Sequence, residues 1–136
     1  MKKFSLADKG ILMGSRTVFR VQAVASFGDV RKGDWGGCIE KEGNLSQEGK
    51  AWVSGNARVS GNAQVSKYQV INVLGCRWSI TISDKHVQIG CVLRSIAQWE
   101  KMTDSRIKVL GYAEEIDWWH KHKDIVLALV ANREVL

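Results

Sequence analysis

One stretch restricts the fold of this chain more than any other. Lys50-Ala51-Trp52-Val53-Ser54-Gly55 is followed by Asn56-Ala57-Arg58-Val59-Ser60-Gly61 and then by Asn62-Ala63-Gln64-Val65-Ser66-Lys67, a repeat with a period of six. Alanine and valine always stand two positions apart, and in an extended chain that spacing puts both side chains on the same face. The residue between them points the other way, so Trp52, Arg58 and Gln64 take outward positions. Ser-Gly-Asn between the units supplies corner chemistry, because glycine and asparagine adopt positive φ at little cost. A short strand and a corner repeated in this way predict a parallel β-helix. The repeat is brief, and such units need about three stacked neighbours to bury a continuous core. Its two open ends, with their unpaired strand edges, must therefore be covered by the rest of the chain or by a second copy. The open ends predict a homo-oligomer, a dimer or trimer.

The flanking segments change period. Residues 17–24 alternate, with Phe19, Val21 and Ala23 on one face and Arg20 and Gln22 on the other, as in a strand. Gly28-Asp29 and Gly33-Asp34-Trp35-Gly36-Gly37 mark tight turns, with Trp35 at a corner closing one end of the coil. After the repeat, residues 68–74, 77–83 and 86–91 read as strands, the last two joined at Asp84-Lys85 by a hairpin turn. Ser95 and Gln98 have the spacing of a capping box that opens a short helix through Trp99 and Met102. A longer helix is expected over about 112–131, with Tyr112, Ile116, Trp119, Val126 and Val130 on one stripe that Lys123 interrupts.

The run from Phe27 through Gly33-Asp34-Trp35-Gly36-Gly37-Cys38-Ile39-Glu40 and Glu42-Gly43-Asn44-Leu45-Ser46 to Gly49-Lys50-Ala51-Trp52-Val53 is distinctive. It resembles a group of bacteriophage and prophage accessory proteins in which a GDxGGxIExExNLS segment leads into NAxVxG repeats. The unit Val-Ser-Gly-Asn-Ala-x is also similar to the hexapeptide repeat of left-handed β-helices, in which successive hexapeptides close a triangular coil. The resemblance implies a phage origin and a small accessory protein acting in the bacterial host cytoplasm. It brings no activity that transfers residue by residue. With it, the fold expected is α+β: N-terminal strands, a very short hexapeptide-type β-solenoid, a β-hairpin, then one short and one long C-terminal helix. A single domain is expected over residues 1–136, with strands and turns over 1–43, repeats over 44–67, strands over 68–92 and a helical part over 93–136.

Composition narrows the function classes. The start of the chain has basic residues with no sustained apolar stretch behind them, so neither a signal peptide nor an anchor is expected, and the run from Ile125 to Ala131 is far short of a membrane span. Cys38, Cys76 and Cys91 lie far apart in no metal-ligand spacing and are expected as small buried residues. The formal net charge of +6 favours nucleic acid, an acidic protein or a phosphorylated small molecule as partner. Serines are numerous, yet none sits in a nucleophile elbow, and no histidine precedes His86. The adjacent Glu114 and Glu115 diverge on a helix and make poor acid and base partners. No catalytic residue, metal site or cofactor is therefore expected.

A non-enzymatic binding protein remains, and with the implied phage origin the expected role is inhibition of a bacterial antiviral defence component, for example as an anti-CRISPR. The partner would be a host defence protein or ribonucleoprotein complex. The expected contacts are the basic and aromatic residues with least structural purpose: Trp118, His120, Lys121 and Lys123 on the last helix, Arg31 and Lys32 before Gly33, and Trp52 in the first repeat. His120 and His122, two apart, do not share a helix face and are not read as metal ligands. One alternative is sequestration of a nucleotide immune signal, with Arg16, Arg20, Trp35 and Arg77 binding phosphate and stacking on a base. The other is a hexapeptide-repeat acyltransferase, a class that carries several coils and a histidine near the coil.

Overall fold

The computed structural model describes residues 2–90, 92–102 and 113–133, with side chains in the last stretch from 117 onward. They form a mixed α+β fold of two sheets, a short helix and a longer C-terminal helix. The first sheet is organised around β3 (Arg16–Ala23), an eight-residue strand long enough to pair with two shorter ones on the same edge. β1 (Phe4–Leu6) lies antiparallel along its C-terminal half, and β2 (Ile11–Met13) along its N-terminal half. On the opposite edge β3 pairs with β4 (Trp35–Ile39), with a register shift between Arg20 and Gln22.

The repeats join this sheet through a parallel pairing of β4 with β5 (Arg58–Val59). The contact extends well beyond that short strand. Gly37 N–H donates to the Val53 carbonyl at 2.6 Å, Cys38 N–H to Ala57 at 2.9 Å, Glu40 N–H to Val59 at 3.0 Å and Ser46 N–H to Val65 at 3.0 Å. Leu45 and Val65 add a further parallel bridge. The chain over 36–46 thus runs alongside all three repeat units, one turn earlier, without their Ala-x-Val unit but with Ile39 and Leu45, six apart, in register with Val59 and Val65. The coil boundary expected at residue 44 therefore moves back to Gly36.

Inside the coil Ala51, Val53, Ala57, Val59, Ala63 and Val65 are all buried, while Arg58 and Gln64 are exposed, as the alternation requires. Gly55 and Gly61 turn the corners with φ of +58° and +56°. Gly36 and Gly37 serve a different purpose from the turn expected of them. They lie inside β4, where a Cβ on Gly36 would run into the Val53 carbonyl oxygen and one on Gly37 would sit 2.5 Å from that of Ala57. Only a residue without a side chain lets the two turns approach this closely. Trp35 is consequently a strand residue paired with Gln22, not a corner plug.

The second sheet is an antiparallel meander of β6 (Ile71–Val73), β7 (Ile80–Ile82), β8 (His86–Ile89) and β9 (Val92–Ser95). β7 and β8 form the hairpin expected at Asp84-Lys85. β9 runs into what the sequence assigned to the helical part and ends at the N-cap of α1 (Ile96–Glu100). There Gln98 N–H donates to Ser95 Oγ at 3.1 Å and Ser95 N–H to Gln98 Oε1 at 2.8 Å, a complete capping box.

This sheet meets the coil edge that β4 leaves free. Asp84 N–H donates to the Gln64 carbonyl at 2.9 Å, Arg58 N–H to Thr81 Oγ1 at 3.3 Å, and Ser60 Oγ–H to Gln88 Oε1 at 3.1 Å. Both edges of the coil thus meet other segments of the chain itself.

The longer helix, α2 (Ala113–Ala131), closes a second core with Trp119 and Val126 buried on its stripe. Trp99 and Trp119 pack with ring centroids 4.9 Å apart. Their indoles are also satisfied in series, Trp99 Nε1–H to the Val87 carbonyl at 2.8 Å and Trp119 Nε1–H to that of Trp99 at 3.0 Å. Tyr112 and the Ile116 side chain, also expected on this stripe, lie outside the described residues. Among the described residues no helix is long and apolar enough to cross a membrane.

Candidate functional site

The corner between the second and third repeat units is held open by Asn44. Its side chain, 1% exposed, accepts from Glu40 N–H at 3.1 Å and Lys41 N–H at 2.9 Å, and donates to the Gly61 carbonyl at 3.1 Å and the Ala63 carbonyl at 2.8 Å. Every hydrogen-bonding position of the amide is used on backbone. The two chain turns are thereby locked with Glu40 and Lys41 at the rim of the Gly61-Asn62 corner.

A cavity of about 380 Å³ opens above that corner. Arg16 from the start of β3, Glu40 and Lys41 from the end of β4, His86 from β8, Arg94 from β9 and Gln98 from α1 line it, with Gly61, Asn62 and Leu93. Arg16 Nη1 is 2.9 Å from Glu40 Oε1 and 3.2 Å from Oε2, and the same Oε1 accepts Gly61 N–H at 2.8 Å. The only carboxylate among the described residues of the cavity is therefore already engaged by the protein. Arg94 Nη1 donates to the Leu93 carbonyl at 2.8 Å, and among the described residues no carboxylate pairs with Arg94 or Lys41. The Arg16–Glu40 pair is mutually neutralised, which leaves Lys41 and Arg94 as the lining cations with no carboxylate partner among the described residues. Coulomb repulsion makes such an arrangement costly when empty and favourable around an anion.

His86 adds a neutral group. Burial pushes its imidazole pKa down, so it is uncharged at neutral pH. Its Nδ1 is buried with no hydrogen-bond partner among the described residues. A neighbouring recess of about 330 Å³ shares Lys41, Gly61 and Asn62 and continues along the corner to Ala63 and Gln64.

The residues expected as contacts fall elsewhere. Trp52 is 7% exposed, because the loop after β3 covers the first repeat unit: the Phe27 ring meets its indole edge-on, with centroids 5.4 Å apart at 68°. It is a core residue and offers no surface to a partner. Trp118 is half-buried and stacks on His122 with centroids 4.4 Å apart, and the ring Nδ1 of His122 lies 2.8 Å from the Trp118 carbonyl. His120 is half-buried, whereas Lys121 and Lys123 are exposed, Lys121 pairing with Asp117 at 3.1 Å one turn earlier. Arg31 and Lys32 are exposed on the β3–β4 loop, where Arg31 N–H donates to Asp34 Oδ2 at 2.9 Å and Lys32 N–H to Ser26 Oγ at 3.0 Å. That loop packs with the coil core through Phe27 and Val30, whereas α2 belongs to the second core, so the contact residues do not form one described patch.

Cysteines depart from expectation as well. Cys38 is half-buried and Cys76 is exposed, while Cys91 lies outside the described residues. Burial pushes the Cys38 thiol pKa up, partly offset by the guanidinium groups of Arg58 and Arg20.

Of the cavity residues, the sequence singled out Arg16 as a phosphate-binding arginine and missed Lys41, His86, Arg94 and Gln98. They come from separate elements, and no spacing rule links them. Comparison with protein-family models, curated proteins and solved structures finds no match to this chain.

Proposed function

We propose that this chain is a non-catalytic binding protein that captures a phosphorylated small molecule in the cavity formed by Arg16, Lys41, His86, Arg94 and Gln98. One observation carries the reading: the cavity sets Lys41 and Arg94, which have no carboxylate partner among the described residues, beside an Arg16–Glu40 pair whose carboxylate is already spent on Arg16 and the Gly61 amide. Guanidinium groups match phosphate oxygens in geometry and charge, and Asn62 and Gln98 supply neutral partners for a sugar or base edge. Its volume is within the range of small-molecule sites. In the phage setting that the resemblance implies, the ligand is a nucleotide signal of antiviral immunity, and the protein acts by sequestration.

The test is to recover the protein from phage-infected bacteria, denature it and analyse released small molecules by mass. A phosphorylated compound recovered with the unaltered chain, and lost from Arg94→Ala with an unchanged melting temperature, is the expected result. Recovery of nothing, together with no uptake from a nucleotide panel, contradicts the reading.

A second reading, direct docking on a host defence protein, draws on one feature of α2. Ile125 is 63% exposed beside a shallow apolar groove that it shares with Ala128 and Leu129, and the exposed Lys123 lies two residues before it. Charge reversal at Lys121 and Lys123 with normal melting then abolishes defence inhibition; full inhibition in that variant removes this reading.

A further inference from the structure

A second cationic feature lies on the outer face of the first sheet, away from the residues of the Arg94 cavity. Arg20 of β3 is the register partner of Cys38 of β4, and Cys38 is the register partner of Arg58 of β5. Three adjacent strands thus place two guanidinium groups on either side of a thiol, across about 10 Å at ordinary strand spacing. Both arginines are close enough to act electrostatically on Cys38. Next along the sheet stands Trp35, 48% exposed, with the Arg20 guanidinium 5.1 Å from its ring centroid.

At its other end the row opens into a polar cavity of about 450 Å³, lined by Arg58 with Asn56, Ser79, Thr81 and Gln88. Gly90 forms part of that lining and carries the Trp78 ring, on which the Arg77 guanidinium lies 4.5 Å from the centroid. The face therefore runs aromatic, arginine, arginine, polar cavity, and none of these residues is a carboxylate.

We propose that this face binds single-stranded nucleic acid, with phosphates along Arg20 and Arg58 and bases stacked at Trp35. A row of cations alone fits any polyanion. The exposed indole at the end of the row selects an unpaired base, because every base offers a π-face whereas a duplex hides it. An acidic protein segment gains little from an isolated tryptophan flanked by guanidinium groups, and it becomes an outcome of the test. The excess of positive charge over the whole chain, +6, acts in the same direction by drawing polyanions to the surface.

The experiment is fluorescence anisotropy of the whole protein with a labelled thymidine dodecamer, the same length of duplex and a polyglutamate peptide, over a salt series. The expected result is binding to the single strand that weakens steeply with salt and exceeds that for duplex and peptide. Trp35→Ala should weaken it on the order of tenfold, Arg58→Gln should weaken it and flatten the salt slope, and both variants should melt normally because both side chains are exposed. Equal affinity for duplex, or a Trp35→Ala variant that binds as well as the unaltered chain, overturns the proposal. Preference for polyglutamate overturns it in favour of an acidic protein, and no binding at low salt overturns it outright. Trp35 and Arg58 do not line the Arg94 cavity, so phosphate uptake there is unaltered in both variants, and the two proposals fail separately.

Discussion

The Asn44 side-chain amide donates to the Ala63 carbonyl across 2.8 Å, joining two successive turns of the chain at a buried corner. With its three other backbone bonds, it holds a gap that neither turn can close with its own amides. Asn44→Ala should cost about 3 kcal/mol or more, because it leaves several buried backbone groups unpaired at once. A urea midpoint within error of the unaltered protein would contradict this role.

Gly36 and Gly43 make a paired test of the close approach. Alanine at Gly36 drives a Cβ against the Val53 carbonyl and should cost about 2 kcal/mol or more, whereas nothing lies within 4 Å of a Cβ at Gly43. Thermal melting of the two variants should show a clear loss for the first and almost none for the second.

Asp84 carries a pH dependence of stability. Burial by itself raises its pKa, but hydrogen bonds from Lys67 N–H, the Ser66 hydroxyl, Tyr68 N–H and Ser66 N–H outweigh it, and the net shift is downward. A depressed carboxylate pKa means that the folded state binds its proton less readily than the unfolded one. The stabilisation is therefore complete above the unfolded value of about 4 and is lost as pH falls from there through the folded value. Asp84→Asn should cost about 1–2 kcal/mol at neutral pH, discounted for partial exposure, and should flatten the acid limb of a melting series. An unchanged acid limb would show that these bonds do not depend on the charge.

His86 predicts the pH response of its cavity. Because burial lowers the His86 pKa, folding is fully stabilised above the unfolded value of about 6.5 and weakens as pH falls through it. The same proton adds positive charge to the cavity. Sulfate affinity, followed by amide shifts, should rise severalfold towards about pH 5.5 and stay nearly flat in His86→Gln. A flat response in the unaltered protein would place the imidazole outside the electrostatics of the site.

The parts of the fold legible in the sequence are those set by local periodicity. The Ala-x-Val alternation marked every inward residue of the repeats, the hairpin was visible in Asp84-Lys85, and Ser95 with Gln98 marked the start of α1. What escaped is long-range. Segment 36–46 pairs with the repeats and keeps their period only at Ile39 and Leu45, six apart and in register with Val59 and Val65, without the Ala-x-Val unit itself. Gly36 and Gly37 looked like a turn because close packing and positive φ select the same residue. Trp52 alternates outward, yet the Phe27 loop covers it. The cavity was legible only at Arg16, since its other residues meet through tertiary packing.

The most direct measurement of the central claim is calorimetric titration of the whole protein with inorganic pyrophosphate at low salt. The account predicts saturable binding to one site, weakened on the order of tenfold by Arg94→Ala and by Lys41→Ala, each with an unchanged melting temperature, since each removes one charge-assisted contact to the bound anion. No saturable binding, or binding that neither substitution weakens, would contradict it.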